Sequence, residues 1–525
     1  MTTLGDRHLP EEIIDNICAS ADRNTLFNIC CASKTLNRIA TARLYSHIQL
    51  GHLGYTGEED SYIIQLAYLF FKSPSHAALV SFVDVLGTWG RMEENVDWCD
   101  KLSWPESGSS ETEELLRTTC AKFATTNEER DELYSAIESG TQEDAILALL
   151  LASLPNLRRL DIDFGCNEEH EEFVRLFEKL CGKNMMPDRS KPVPVDVLVR
   201  GDDEKYPHDP THLATFFHLP NVRAIYAYKM GNEEGELDLQ NGPFARLRPR
   251  ACPVEIIELR KSKIDRDNLK LLMGATMPGK LKTFNYEIGC TWAWCSVDHP
   301  AIMESLSVHH NTLENLGLSH EDFYPYQFGN DSHRPDPCSF VPFTALKRLK
   351  VAPVYIWGHD GFHDSASLGR AETRDALWQA LPKNLEELWI ARAQHALPPS
   401  DPDIQFEPVC LLPSLARVLE HKTESFPNLS NLRIEFSMKQ WQTEWLDALA
   451  KICERAETYG IRCTIILTHV EKRPSQVELN WGWNEDVEWR SVYSNQEVRK
   501  HCVVVADEED LAQTLRNLTT ELDAE

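Results

Sequence analysis

One short pattern recurs along this chain and limits what it can become. An apolar residue is followed by two unconstrained positions, a second apolar residue, one more position and a third apolar residue. It reads LRRLDI from Leu157, VRAIYA from Val222, LKTFNY from Leu281, LENLGL from Leu313, LKRLKV from Leu346, LEELWI from Leu385 and LSNLRI from Leu429. Weaker versions stand at VDVLV (195–199) and VEIIEL (254–259). Residues two apart share one face of a strand, so the second half of each motif predicts a short strand with one apolar face. Turn sequences such as LPNL, LPNV, LPKNL and FPNL precede several of them, and these stop a helix and start a strand. The stretches between the motifs, including EEFVRLFEKLCG, RDNLKLLMGA, HPAIMESLSVHH, RDALWQAL, LLPSLARVLEH and WQTEWLDALAKICERAETYG, carry helical periodicity. Each unit therefore reads helix, turn, strand. The last four motif starts, at 313, 346, 385 and 429, lie 33, 39 and 44 residues apart, a longer and less regular period than a uniform repeat array has. One such unit cannot close a core, whereas stacked units bury a continuous one. A compact α/β domain with parallel strands shares the alternation and stays open as an alternative.

A chain of 525 residues exceeds what a single core organises, which favours several domains or one elongated array. Acidic residues outnumber basic ones by 82 to 53, and the net charge of -29 argues against nucleic acid or an anionic membrane surface as a partner. No apolar run approaches the roughly 18 residues of a membrane span. The 15 cysteines are scattered without framework spacing and the start, MTTLGDRHLPEEII, has no secretory pattern. The expectation is a cytoplasmic or nuclear protein with free thiols.

The first fifty residues predict three short helices. Pro10 suits a first helical position, with Glu11 and Glu12 complementing the positive helix end. Asp22 and Ser33 suit the caps of the second and third helices. Three helices in about forty residues bury too little surface to be stable alone, so their apolar faces need a partner, either the rest of the chain or another protein. Leu9-Pro10, Glu12, Ile13, Ile14, Ile17, Leu26, Cys30-Cys31, Ser33-Lys34, Asn37, Ile39-Ala40 and Leu44-Tyr45 resemble an F-box, which opens LPxEI(I/L)xxI and closes SKxxNxIAxxxLY. Asn37 stands where many F-boxes carry a large aromatic residue. The resemblance implies a substrate receptor of an SCF-type cullin-RING ubiquitin ligase, with Leu9, Pro10, Ile13, Ile14, Ile17, Leu26 and Leu44 forming or supporting the docking face for the small linker subunit and, through it, cullin. The downstream units resemble the divergent leucine-rich repeats common in F-box proteins.

The expected architecture is thus α/β: an N-terminal three-helix F-box over 7–50, a helical linking region over 51–150 with an acidic flexible loop at about 105–114, an irregular leucine-rich-repeat-like α/β solenoid over 151–470, and a C-terminal cap over 471–525. In such an array the residues flanking the inward apolar positions face a concave side. These are Asp161, Asp163, Tyr226, Tyr228, Asn285, Glu287, Arg348, Lys350, Trp389, Arg433 and Glu435. Exposed aromatic and basic residues dominate binding energy at interfaces, so Tyr226, Tyr228, Arg348, Lys350, Trp389 and Arg433 are the candidate contacts to a target protein, with the basic ones suited to an acidic or phosphorylated segment. Cys290, Cys295 and His299, with His309 and His310 nearby, only just reach structural zinc spacing, and buried loop thiols are the expectation. HDGFHD (359–364) reads as a solvated insertion. No Walker, nucleophile-elbow or HExxH motif is present, so no cofactor, metal or catalytic residue is expected. The resulting expectation is a non-catalytic adaptor that joins a target to the ligase, with a scaffold that does not promote ubiquitination as the alternative.

Overall fold

The computed structural model describes residues 9–50, 63–85, 104–105, 108–138, 143–164, 170–182, 193–201, 208–231, 243–289, 297–321, 336–363, 371–393, 411–437, 445–468 and 502–505. The chain divides into two compact units, the first Met1–Asp202 with Thr211–Ala224 and the second Asp203–Pro210 with Ile225–Glu525.

The first unit opens with α1 (Glu11–Ala19), α2 (Arg23–Ala32) and α3 (Lys34–Ser46). Asp22 caps α2 by accepting from the Thr25 N–H at 2.7 Å, and Ser33 caps α3 by accepting from the Leu36 N–H at 3.2 Å. Pro10 sits one position earlier than expected, as the N-cap of α1, and its carbonyl accepts from the Ile13 and Ile14 N–H groups. Its fixed φ of -53° suits either position, and its extended ψ of 146° places it outside the helix. The three helices make a small core after all: Cys18, Leu26, Ile39 and Ala40 are buried together, with Ile14, Ala21, Ile29, Cys30 and Leu44 packed around them. Arg43 forks onto Asp15 and Arg38 pairs with Glu11, which ties α3 to α1.

The helices lead without a break into a parallel sheet. The Ser46 carbonyl accepts from the Ser81 N–H at 2.9 Å, and β1 (His47–Leu50) pairs with β2 (Phe82–Val85), β2 with β3 (Arg159–Asp163) and β3 with β4 (Val195–Arg200), all parallel. The sheet therefore starts well before residue 151, and the segment read as a linking region supplies one of its strands. Residues 110–114, read as part of an acidic loop, form the first turn of a helix over Ser110–Phe123, which Ser109 caps on the Thr112 N–H. The helix Glu143–Ala152 is buried along its whole length. Its run ILALLLA is apolar on every side, the pattern of a helix enclosed by protein.

The boundary between the units falls within β5 (Val222–Tyr228). In the second unit β6 (Ile256–Ser262), β7 (Thr283–Ile288), β8 (Asn315–His320), β9 (Arg348–Val351), β10 (Glu387–Ile390), β11 (Asn431–Ser437), β12 (Arg462–Thr468) and β13 (Cys502–Val505) pair in parallel, in chain order. Each predicted strand motif forms a strand, so the chain is an α/β protein with helices joining successive parallel strands. Of the expected C-terminal cap over 471–525 only β13 belongs to the described residues.

Two rows of contacts hold successive units in step. The residues just before the strands stack as Glu255, Lys282, Glu314, Lys347 and Glu386. Each backbone N–H donates to the carbonyl of the one before, at 2.9, 2.8, 2.9 and 2.7 Å. Their side chains alternate in sign, with Lys282 to Glu255 at 3.0 Å and Lys347 to Glu314 at 2.7 Å. Beyond the strands, buried Gly289 follows β7 and its N–H donates to the Ser262 carbonyl at the end of β6, where the register shifts and Lys261 has φ 47°. A Cβ on Gly289 would overlap the Lys261 backbone. Gly289→Ala is therefore expected to lower stability by about 1–3 kcal/mol, the range for overpacking, read as a lower urea midpoint.

Candidate functional site

Two regions carry unusual chemistry. The first is the outer side of α1 and α2. Ile13 and Ile17 fall at i and i+4 on one stripe of α1 and Leu9 stands just before its N-cap; Leu9, Ile13 and Ile17 are 57%, 45% and 53% exposed. Phe27 on α2 is 60% exposed. The neighbouring stripe of α1, Ile14 and Cys18, points into the small core. The seven residues expected at a docking face therefore separate into two groups. Leu9, Pro10, Ile13 and Ile17 are exposed, while Ile14, Leu26 and Leu44 hold the helices to one another. Phe27 was not anticipated, because helical periodicity marks its neighbour Leu26 as the inward residue. Asn37 donates from its amide to the Cys30 carbonyl at 3.0 Å, so it closes the end of α2 where an aromatic side chain would need room to pack.

The second region is the polar face of the sheet in the second unit. Parallel pairing places Glu258, Asn285, Gly317, Lys350, Trp389 and Arg433 in one row across β6 to β11. Side chains in such a row share a face, and adjacent strands are about 4.8 Å apart, so long side chains cover one another. Asn285 donates to Glu258 at 3.1 Å, and Gly317 leaves room for the Asn285 carboxamide, which a Cβ there would meet. Lys350 lies 4.0 Å from the centre of the Trp389 ring and reaches Glu435 at 3.2 Å; Arg433 flanks the same ring at 5.2 Å and pairs with Glu387 at 2.9 Å. One row earlier, Arg348 donates to Asn315 at 2.6 Å and Asn315 to Thr283 at 2.8 Å.

This packing corrects the expectation of an open recognition face. Tyr226, Tyr228, Lys350 and Trp389 are buried, as are Asp161, Asn285, Glu287 and Glu435; only Arg348, Arg433 and Asp163 keep partial exposure. Alternation correctly places these residues opposite the apolar face, but it carries no information on whether that face meets water, and parallel sheets are commonly covered on both sides. Lys350, Trp389 and Arg433 come together, with Arg348 one row away, whereas Tyr226 and Tyr228 lie on β5, separated from β9 by three strands. The basic side chains meant for an acidic segment already hold acceptors within the chain. Sequence reasoning missed Arg392, which is buried, has φ 55°, donates to the His320 carbonyl at 2.9 Å and lies 3.6 Å from Glu287. Burial raises the Glu287 carboxyl above its ordinary value of 4.5 despite Arg392 beside it. Burial works against charge on Lys261, yet Glu321 at 2.9 Å, with Tyr228 and Glu287, keeps its ammonium above the ordinary lysine range.

Among the described residues no three or more His, Cys, Asp or Glu side chains are grouped as metal ligands, and no helix is long and apolar enough to cross a membrane. Cys290 and Cys295 lie outside the described residues, as do the side chains of HDGFHD. Buried His309 pairs with the Thr276 hydroxyl at 2.7 Å, and His310 bonds the Ser307 carbonyl at 2.7 Å.

No family model matches the chain, and no curated protein matches it. Among solved structures it is similar to one titled "Crystal structure of Rad7 and Elc1 complex in yeast", at 11% identity and a TM-score of 0.23, over 82% of this chain and 91% of that one. A likeness at that score carries no weight for fold or function.

The polar face is open to direct measurement. Lys350→Met strands Glu435, 4% exposed, without its cation and is expected to cost about 3–5 kcal/mol; the double variant Lys350→Met/Glu435→Leu should recover most of that in chemical denaturation. For Glu287 the folded-state pKa lies above the ordinary 4.5, so its contribution is full below that pH and is lost as pH rises through the raised value. Urea midpoints over a pH series should therefore shift in favour of Glu287→Gln over the wild type as pH rises from 4.5.

Proposed function

We propose that this chain is a non-catalytic substrate-recognition adaptor of an SCF-type cullin-RING ubiquitin ligase, working in the cytoplasm or nucleus. Its N-terminal helices dock on the linker subunit and so reach cullin, and the α/β array, of leucine-rich-repeat-like design, presents a target protein. The observation that carries this reading is the distribution of exposed apolar residues. Among the described residues the exposed large apolar side chains are Leu9, Ile13, Ile17, Phe27, Val308 and Val341, so four of the six fall within the first thirty positions. Those positions also carry the LPxEI opening that resembles an F-box. Apolar side chains gathered this way on so small a helical region mark an interaction surface.

The mechanism is proximity. An adaptor that holds a target beside the ubiquitin-charged enzyme raises the effective concentration of a target lysine and needs no reactive group of its own. Because the polar sheet face is largely covered and internally paired, target contacts fall to its partly exposed members, Arg348 and Arg433, and to the loops and helix surfaces around them.

The test is co-purification of the full chain with the linker subunit and cullin, beside an Ile13→Asp/Ile17→Asp variant. Both side chains point outward, so the variant should unfold within about 0.5 kcal/mol of the wild type. Two isoleucines worth about 1.5–3 kcal/mol each in the complex should weaken linker binding by roughly two to four powers of ten. A wild type that retains no linker refutes the reading, and one that retains the linker without cullin points to the scaffold alternative.

A further inference from the structure

One pair of side chains outside both regions is placed for chemistry. Cys453 lies within the helix Trp445–Thr458 and Cys463 is the second residue of β12. Their sulfur atoms are 2.8 Å apart, and both residues are buried, Cys453 at 0% and Cys463 at 4% exposure. That distance is shorter than two unbonded sulfurs comfortably hold and approaches the roughly 2.05 Å of a disulfide. The connection between them is fixed. After the helix, Gly460 takes φ 73°, its N–H donates to the Glu457 carbonyl, and the Ile461 N–H donates to Ala456, so the chain turns tightly and β12 runs back along the helix that precedes it. β12 is in turn paired along its length with β11. The helix and the sheet pairing hold the two backbones in place, so the sulfurs can part only by a change of side-chain rotamer within the packed interior.

We propose that Cys453 and Cys463 are a redox-modification site, in which hydrogen peroxide closes a reversible disulfide that staples the helix to β12. A buried pair selects a small oxidant over a bulky disulfide such as that of glutathione. Cys463, the less buried of the two, reacts first: its thiolate attacks one peroxide oxygen, an S–O bond forms, the O–O bond breaks, and the departing hydroxide leaves as water with a proton. The Cys453 thiolate then attacks that sulfur, the S–S bond forms, the S–O bond breaks, and a second water leaves. Two electrons pass from the two sulfurs to the peroxide, and the two thiol protons end in the two waters. The contact with Cys463, followed by burial, holds the Cys453 proton well above the ordinary thiol range, so closure is slow and waits on local opening. Nothing in this chemistry depends on the adaptor reading.

Trypsin separates the two cysteines, because Lys451, Arg455, Arg462 and Lys472 leave Cys453 in peptide 452–455 and Cys463 in peptide 463–472. The experiment treats reduced, full-length protein with graded hydrogen peroxide, alkylates the remaining thiols and maps the digest by mass spectrometry without reduction. The expected result is a cross-linked 452–455/463–472 species that lacks two hydrogens relative to the separate peptides and disappears on reduction. In Cys453→Ser the cross-link should be absent and Cys463 should instead be trapped by dimedone as a sulfenic acid. The proposal is overturned if both wild-type peptides return alkylated and unlinked at peroxide levels that already oxidise the exposed Cys31. It is equally overturned if Cys463 of Cys453→Ser links to another cysteine as readily as it linked to Cys453.

Discussion

From β7 to β12 each strand in the second unit is hydrogen-bonded to its predecessor on one side and its successor on the other, and that dependence governs the rest of the unit. Parallel strands cannot be joined by a tight hairpin, so each must be followed by a crossover long enough to return the chain to the same end of the sheet. The helices supply that crossover and bury the apolar face of the strands as they do so. The stack Glu255, Lys282, Glu314, Lys347 and Glu386 marks where each crossover ends: the backbone N–H that enters a strand is already bonded to the equivalent residue of the unit before. Alternation of charge along that stack places unlike charges on neighbouring units.

Burial of the second face imposes a further demand, because charged groups removed from water need partners. Lys350 with Glu435, Arg433 with Glu387, Arg260 with Glu258 and Asn285 with Glu258 meet it across β6 to β11. Buried ion pairs of this kind add little net stability compared with apolar residues of the same shape, but they penalise misalignment. A slip of β9 by one residue would set Leu349 beside Trp389 in place of Lys350, leave Glu435 without its cation and turn Lys350 toward the apolar side. Gly317 belongs to the same logic, since its missing side chain is the space that the Asn285 carboxamide occupies.

The N-terminal helices solve a different problem with few residues. A core of Cys18, Leu26, Ile39 and Ala40, capped helix starts and the Arg43–Asp15 fork suffice to hold α1, α2 and α3 together. Small cores leave little capacity to bury further side chains, and Leu9, Ile13, Ile17 and Phe27 stay in contact with water.

The sequence by itself determined the order and type of the elements from β3 to β11, where each strand carries the motif. The motif strands, the helices between them and the caps at Asp22 and Ser33 follow from short-range periodicity and local hydrogen bonding, which a few neighbouring residues decide. Reading by motif passed over β1, β2 and β12, although the spacing recurs as VSFVDV from Val80 ahead of β2, and over Phe27 and Arg392, whose neighbours in sequence say nothing of their surroundings. Tertiary structure alone decided that Tyr226, Lys350 and Trp389 are covered while Ile13 and Ile17 are not. Local pattern specifies which face of a strand or helix a side chain lies on. Whether that face meets water depends on what residues far away in the chain place over it, as Glu435 does for Lys350 across the width of β10.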